Sequence, residues 1–238
     1  MNLGIPVFVV HLSTAAGRRI FMEEQLAAAG LQARFITEWD LPELLASDSS
    51  PGFKDELLPP GPATSCARKH LAACEELLAG SAPFALVLED DVVLYRGFRA
   101  GLQAIAAEIE EQKTEGFLLN VEESMLDYVP ASERRPGSWI YPASRGRLAG
   151  AYLIDRTAAG FCLKEFRENG CGLPIDWFHN HCARLGGFRH YRSHPCLAIQ
   201  GSLNGRFPSL IDHKTASLLR RFSFRMQQIW KRFRASLR

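Results

Sequence analysis

The sequence lacks any apolar run near the roughly eighteen residues that a membrane-crossing helix requires, so none is expected. Its opening, MNLGIPVFVVHLS, has no basic stretch and too short an apolar run for a secretory leader. It reads as a first strand, and a cytosolic location is the expectation. The six cysteines (Cys66, Cys74, Cys162, Cys171, Cys182 and Cys196) show no CxxC spacing, which argues against a zinc site. Their expected fate is that of small buried hydrophobes. There is no GxGxxG and no Walker pattern, so neither a dinucleotide reader nor a P-loop nucleotidase is supported. No internal repeat and no nucleic-acid-reading module is visible, and no nucleic-acid partner is expected.

What is present is ordinary in bulk and uneven in detail. The chain has 238 residues, 47% hydrophobic and 23% charged, a composition typical of a soluble globular protein with a good core. The net charge of +2 hides an asymmetry: residues 213–238 carry eight Lys or Arg and no acid, which leaves −6 on residues 1–212. In that tail Leu218, Leu219, Phe222, Met226, Ile229, Trp230 and Phe233 recur at spacings of three and four. This is the pattern of a basic amphipathic helix suited to an anionic membrane surface. The alternative is packing of its apolar side on the body.

Strands are expected at 5–12, 31–39, 84–88, 116–121 and 148–156. Helices are expected at 13–30, 63–80, 97–112, 157–168 and 174–186, with 188–201 extended. Ser13 or Thr14 would cap the first helix, with Ile20, Phe21, Leu26 and Ala27 on its inner face, and Gly30 would end it. Thr64 or Ser65 would cap the second, and Pro174 would take the first helical position of the last. Residues 40–63, which include Pro51, and 122–147 read as loops. Alternating strands and helices predict an α/β domain with a mostly parallel sheet, whose ligands sit beyond the carboxyl ends of the strands.

The segment FALVLEDDVVLY (84–95) ends a buried strand in three adjacent carboxylates. If extended geometry persists, Glu89 and Asp91 point to one side and Asp90 to the other. Two such carboxylates suit a hard cation, Mg²⁺ or Mn²⁺, which completes its shell with substrate phosphates. The alternative is a solvated acidic turn after the strand.

Several segments in order resemble glycosyltransferase family 25, the lipopolysaccharide-biosynthesis and collagen galactosyltransferase family. They are VFVVHL with Arg18 and Arg19, Cys66 and His70 on one helix, LVLEDDV, GAYLI (150–154), LPIDWF (173–178), and Pro195 through Gln200 to Ser209. The resemblance implies a GT-A-like (Rossmann-like) domain over 1–212 with the basic helix appended at 213–238. It implies an inverting, metal-dependent transfer of a hexose, galactose or glucose, from a UDP-sugar to a lipooligosaccharide or other surface glycan. The enzyme would work at the inner face of the cytoplasmic membrane. It gives the metal to Asp91 and Glu89, with Mn²⁺ or Mg²⁺ as cofactor, and the donor to Asp90, His11, Leu12, Arg18, Arg19 and His70. Asp176 becomes the candidate base, its apolar neighbours expected to desolvate it. Tyr152, Trp177 and Gln200 are candidates for the acceptor; Trp139 and Tyr141 are further aromatics suited to a sugar ring. His179, His181, His190 and His194 are possible late metal ligands. An alternative is a relative without turnover that binds glycans or membranes, distinguished by the absence of UDP release.

Overall fold

The computed structural model describes residues 4–46, 52–124, 126–207 and 218–238. Pro51, Ser209 and tail residues 213–217 lie outside the described residues. In chain order the elements are β1 (Val7–Val10), α1 (Ala16–Ala28), β2 (Arg34–Ile36), α2 (Leu41–Ala46), α3 (Pro62–Ala79), β3 (Phe84–Glu89), β4 (Val92–Leu94), α4 (Phe98–Gln112) and β5 (Phe117–Asn120). They continue with β6 (Ile140–Pro142), β7 (Ala151–Asp155), α5 (Arg156–Asn169), α6 (Ile175–Arg184), β8 (Arg189–Ser193), β9 (Ala198–Gln200), α7 (Gly201–Asn204) and α8 (Leu218–Ser236).

Seven strands form one sheet in the order β2-β1-β3-β7-β5-β8-β6. β1 pairs in parallel with β2 and β3, and β5 with β8. β7 runs antiparallel between β3 and β5, and β6 runs antiparallel on the β8 edge. Five of the seven strands therefore point one way, the mostly parallel α/β sheet that the sequence predicts. The central strands β1 and β3 are near-continuous apolar runs because helices cover both faces of the sheet. Val7, Val9, Leu86 and Leu88 pack toward Met22 and Leu26 of α1 and Leu102 and Ile105 of α4. Phe8, Val10, Ala85 and Val87 alternate with them and pack toward Leu71 of α3, Ala158 of α5 and Cys182 of α6. Each fully buried Val or Leu side chain contributes about 1.5–3 kcal/mol.

The helix ends differ from the expected ones by local chemistry. No side chain caps α1, because Ser13 is bonded to Asp40 instead. Its inner face carries Met22 and Leu26, while Ile20 is exposed. Gly30 does end it, with φ 62° and N–H groups of Gly30 and Leu31 donating to Ala27 and Leu26. α3 starts earlier, at Pro62; Thr64 lies inside it and its hydroxyl accepts the N–H of Gly61 at 3.0 Å. Pro174 precedes α6 rather than opening it. Residues 40–63 contain α2, and 122–147 contain β6; both elements are too short for a periodic signal.

Two features position the site. The chain leaves β1 for β2 on one side and returns to β3 on the other, which opens a crevice beyond the carboxyl ends of β1 and β3. The antiparallel ribbon β4–β9 then sets Val92 opposite Gln200, bringing the end of the domain back onto the acidic turn.

α8 presents an unexpected side to the body. Its less exposed positions are Phe224, Gln228, Lys231 and the buried Ala235, a four-three-four spacing. Phe222, Met226, Ile229, Trp230, Phe233 and Leu237 are 50–71% exposed on the opposite face. The apolar face is therefore not packed on the domain. Arg232 Nε donates to the buried Glu123 at 2.5 Å and ties the helix down. Among the described residues no helix is long and apolar enough to cross a membrane.

Candidate active site

Extended geometry stops at Glu89, and Asp90 and Asp91 form a turn. The expected alternation of side chains is therefore lost. All three carboxylates border one cavity of about 310 Å³, together with His11, Leu12, Arg18, Cys66, Lys69, Gln200 and Ser202.

Asp90 is fully engaged. It bonds His11 Nδ1 at 2.8 Å and accepts from Arg18 at 2.7 Å and from the Leu12 N–H at 3.4 Å. Burial alone would raise its pKa, but the bonds from His11 and Arg18 outweigh it and hold the carboxyl below its usual value. Asp90 thus locks the end of β1 and the first helix against the acidic turn. Arg19 faces away: it pairs with Glu23 at 2.5 Å and lies 3.6 Å over the Phe35 ring, outside the cavity lining.

Asp91 is at least as buried and far less satisfied. One oxygen accepts the Ser202 N–H at 3.0 Å, while Oδ1 is buried without a hydrogen-bond partner among the described residues. Burial, and then the Glu89 charge, push its pKa up to about 7. Gly201 packs so closely on this turn that a Cβ there would lie 2.3 Å from the Asp91 carbonyl oxygen. Glu89 accepts from Gln200 Nε2 at 2.7 Å. Gln200 therefore belongs with the acids in this cavity.

The sequence reading missed a fourth carboxylate. Glu122, just after β5, accepts the Gly150 N–H at 2.8 Å on one oxygen, and its Oε2 is buried without a hydrogen-bond partner among the described residues. Burial, with the charges of Glu89 and Asp91, pushes it up to about 8. A Cβ at Gly150 would stand 2.9 Å from that oxygen, so glycine is what admits Glu122 here. Asp40 was missed too. It receives the buried Lys69 ammonium and the Ser13 hydroxyl, and Lys69 also bonds the His11 carbonyl, bracing the crevice wall. Neither acid sits in a motif, and only tertiary pairing reveals them.

His70 is fully buried. Its Nδ1 is 2.9 Å from the Tyr152 hydroxyl, and its Nε2 lies 3.5 Å from Glu89 with no hydrogen bond. Tyr152, 1% exposed, offers no face to a sugar; its burial corrects the acceptor-platform reading and leaves it orienting His70. The ligand atoms of Cys66, His70 and Glu89 all lie within 4.8 Å of one another, a possible metal-binding cluster. Dismissing the cysteines for want of a CxxC pair overlooked that Cys66 and His70, four apart on α3, share one helix face. Buried, unpartnered oxygens on Asp91 and Glu122 beside Glu89 call for either protons or a cation. The donor set fits one: the carboxylates suit a hard ion, and the thiol and imidazole draw a softer one.

Asp176 lies at the start of α6 and lines a second cavity of about 730 Å³. It is half-buried, not enclosed as its apolar neighbours suggested. Its Oδ2 accepts the Leu148 N–H at 3.1 Å, and its other oxygen has no partner among the described residues. The two cavities are neighbours electrostatically: burial and then the charges of Glu89, Asp90 and Asp176 all push up the Cys66 thiol on the first cavity's wall. Trp177, 51% exposed, also lines the second cavity. Trp139 packs against the core and Tyr141 is buried. Of the late histidines, His181 bonds Glu165 at 3.0 Å, and His190, which burial lowers to about 4, lines the second cavity. None of the four lines the acidic one.

A search of curated proteins finds no match. A sequence model of glycosyltransferase family 25 (LPS biosynthesis protein) matches residues 4–178, which spans β1, the acidic turn and the start of α6. That match covers well over half of the chain, and the protein belongs to glycosyltransferase family 25.

Proposed function

We propose that the protein is an inverting glycosyltransferase that moves a hexose, galactose or glucose, from a UDP-sugar to a lipooligosaccharide or related lipid-linked glycan. The observation that carries this reading is that Glu89 and Asp91 line one crevice, with Glu122 close enough to feel both charges, and that Asp91 Oδ1 and Glu122 Oε2 are buried without a hydrogen-bond partner among the described residues. A diphosphate donor with its divalent cation is a ligand suited to such a site.

Asp91 and Glu89, with Glu122 behind them, would hold Mn²⁺ or Mg²⁺, and His70 and Cys66 lie beside Glu89. The bound ion would supply positive charge to the diphosphate as it leaves. Arg18, held by Asp90, lines the same cavity and is placed to meet the phosphates. His11 and Leu12 give the nucleotide a wall at the end of β1.

The acceptor hydroxyl attacks the anomeric carbon from the face opposite the UDP. The new glycosidic bond forms as the bond to the diphosphate oxygen breaks, and that oxygen keeps the electron pair. The hydroxyl proton goes to Asp176, whose Oδ2 is steadied by Leu148. The outward apolar face of α8, flanked by the exposed Arg225 and Arg234, would rest on an anionic bilayer and bring a lipid-linked acceptor within reach. On this reading the enzyme would work at the inner face of the cytoplasmic membrane. The test is UDP release from a panel of UDP-sugars with and without Mn²⁺. Cation-dependent turnover of one donor, absent in Asp91→Asn, is expected; no turnover of any UDP-sugar by folded protein contradicts the reading.

A further inference from the structure

The second cavity has a charge character opposite to that of the first. Its rim carries Arg145, Arg147, Arg184 and Arg189, and Asp176 is its sole acid. All four arginines are exposed, and none makes an ion pair or a side-chain hydrogen bond among the described residues. This occurs on residues 1–212, which carry a net −6. Four unpaired guanidinium groups repel one another, so gathering them around one concavity costs energy unless an anion completes it.

The cavity is also held in shape. Gly146, between two of the arginines, gives its N–H to Asn180 Oδ1 at 2.9 Å and accepts from Asn180 Nδ2 at 2.7 Å. This clamps the loop to α6, the helix that carries Asp176, Trp177 and Arg184. A Cβ at Gly146 would lie 2.9 Å from the buried His190 ring, so the loop sits tight on β8 as well. Trp177 offers an exposed indole face beside this rim.

The geometry points to the second cavity as a subsite for an anionic glycan, one bearing a phosphate or a carboxylate within reach of the four arginines while a sugar ring stacks on Trp177. Guanidinium groups recognise both anions through paired N–H donors. The word acceptor rests on the glycosyltransferase reading above; the anion recognition does not. A glycan seated here has Asp176 beneath it, which would make an acidic acceptor the natural substrate.

The experiment uses the full-length chain and four immobilised probes: a glycan ending in a sugar 6-phosphate, one ending in N-acetylneuraminic acid, and the neutral parent of each. UDP binding is measured on the same samples. At low salt the anionic probes should bind about tenfold or more tighter than their parents, as charge-assisted bidentate contacts imply. That preference should vanish in Arg147→Ser/Arg189→Ser and in Arg145→Ser/Arg184→Ser. Whichever anionic probe binds better identifies phosphate or carboxylate as the group recognised. Equal binding of anionic and neutral probes overturns the proposal, as does a preference that survives both double variants. Anionic preference in a protein that fails to bind UDP would sustain this subsite and contradict the donor reading instead.

Discussion

The two cavities, linked electrostatically through Asp176 and Cys66, solve opposite electrostatic problems. The acidic crevice brings Glu89 and Asp91 together with Glu122 beside them, and burial pushes Asp91 up to about 7 and Glu122 up to about 8. The larger cavity gathers arginines at its solvent rim, where screening makes their repulsion tolerable. Burial makes the first a site whose carboxyls take up either protons or a cation; exposure leaves the second free to discriminate among anions without needing one. The difference teaches which substitutions should be severe and which should merely shift preference.

The severest should be Asp91→Asn. It removes the charge at the centre of the crevice and should lower turnover by about 10³-fold or more, with cation dependence lost, as measured by UDP release. Gly201→Ala comes next. Its Cβ would overlap the Asp91 carbonyl, so the turn must shift, and thermal unfolding should show a loss of about 1–3 kcal/mol. A wild-type melting curve would contradict the close packing described.

The pH dependence sharpens the same contrast. Asp91 and Glu122 have folded pKa values above those of free carboxyls, so their protonated forms stabilise the cation-free protein at low pH. That stability is lost as pH rises through about 7 and 8. A divalent cation replaces those protons, so the rise in Tm on adding Mn²⁺ should be larger at pH 8 than at pH 6. An equal rise at both would place the ion elsewhere. The smallest effect on turnover of a soluble donor should come from α8. Trp230→Ser with Phe233→Ser should weaken sedimentation with anionic vesicles about tenfold or more, since each exposed aromatic contributes about 1.5–3 kcal/mol when buried. UDP release without vesicles should hardly change.

The sequence was most legible where burial and periodicity agree. β1, α3 and β3 are long or strongly apolar, and the acids after Leu88 interrupt an apolar run, which drew attention to the crevice. Glu122 and Asp40 were illegible for the converse reason. Each sits outside any motif, and only the pairing of β5 with β7, or the reach of Lys69 from α3, brings it beside the crevice. The inner face of α1 was misread because Ile20 is apolar yet points to solvent, while Met22 fills the core. Cys66 and His70 were visible as a helical pair, but their meeting with Glu89 is a tertiary fact. The arginine rim draws on two separate stretches, 145–147 and 184–189, and needs the Gly146–Asn180 clamp to become one surface.

The central claim is a division of labour, with the donor held in the acidic crevice and the proton taken by Asp176 next door. The most direct measurement pairs UDP-sugar binding by calorimetry with UDP release by the Asp176→Asn variant. Donor affinity within about twofold of wild type, with turnover lower by about 10²–10⁴-fold, is the predicted result. Turnover that survives the substitution would contradict it, because the base would then lie elsewhere.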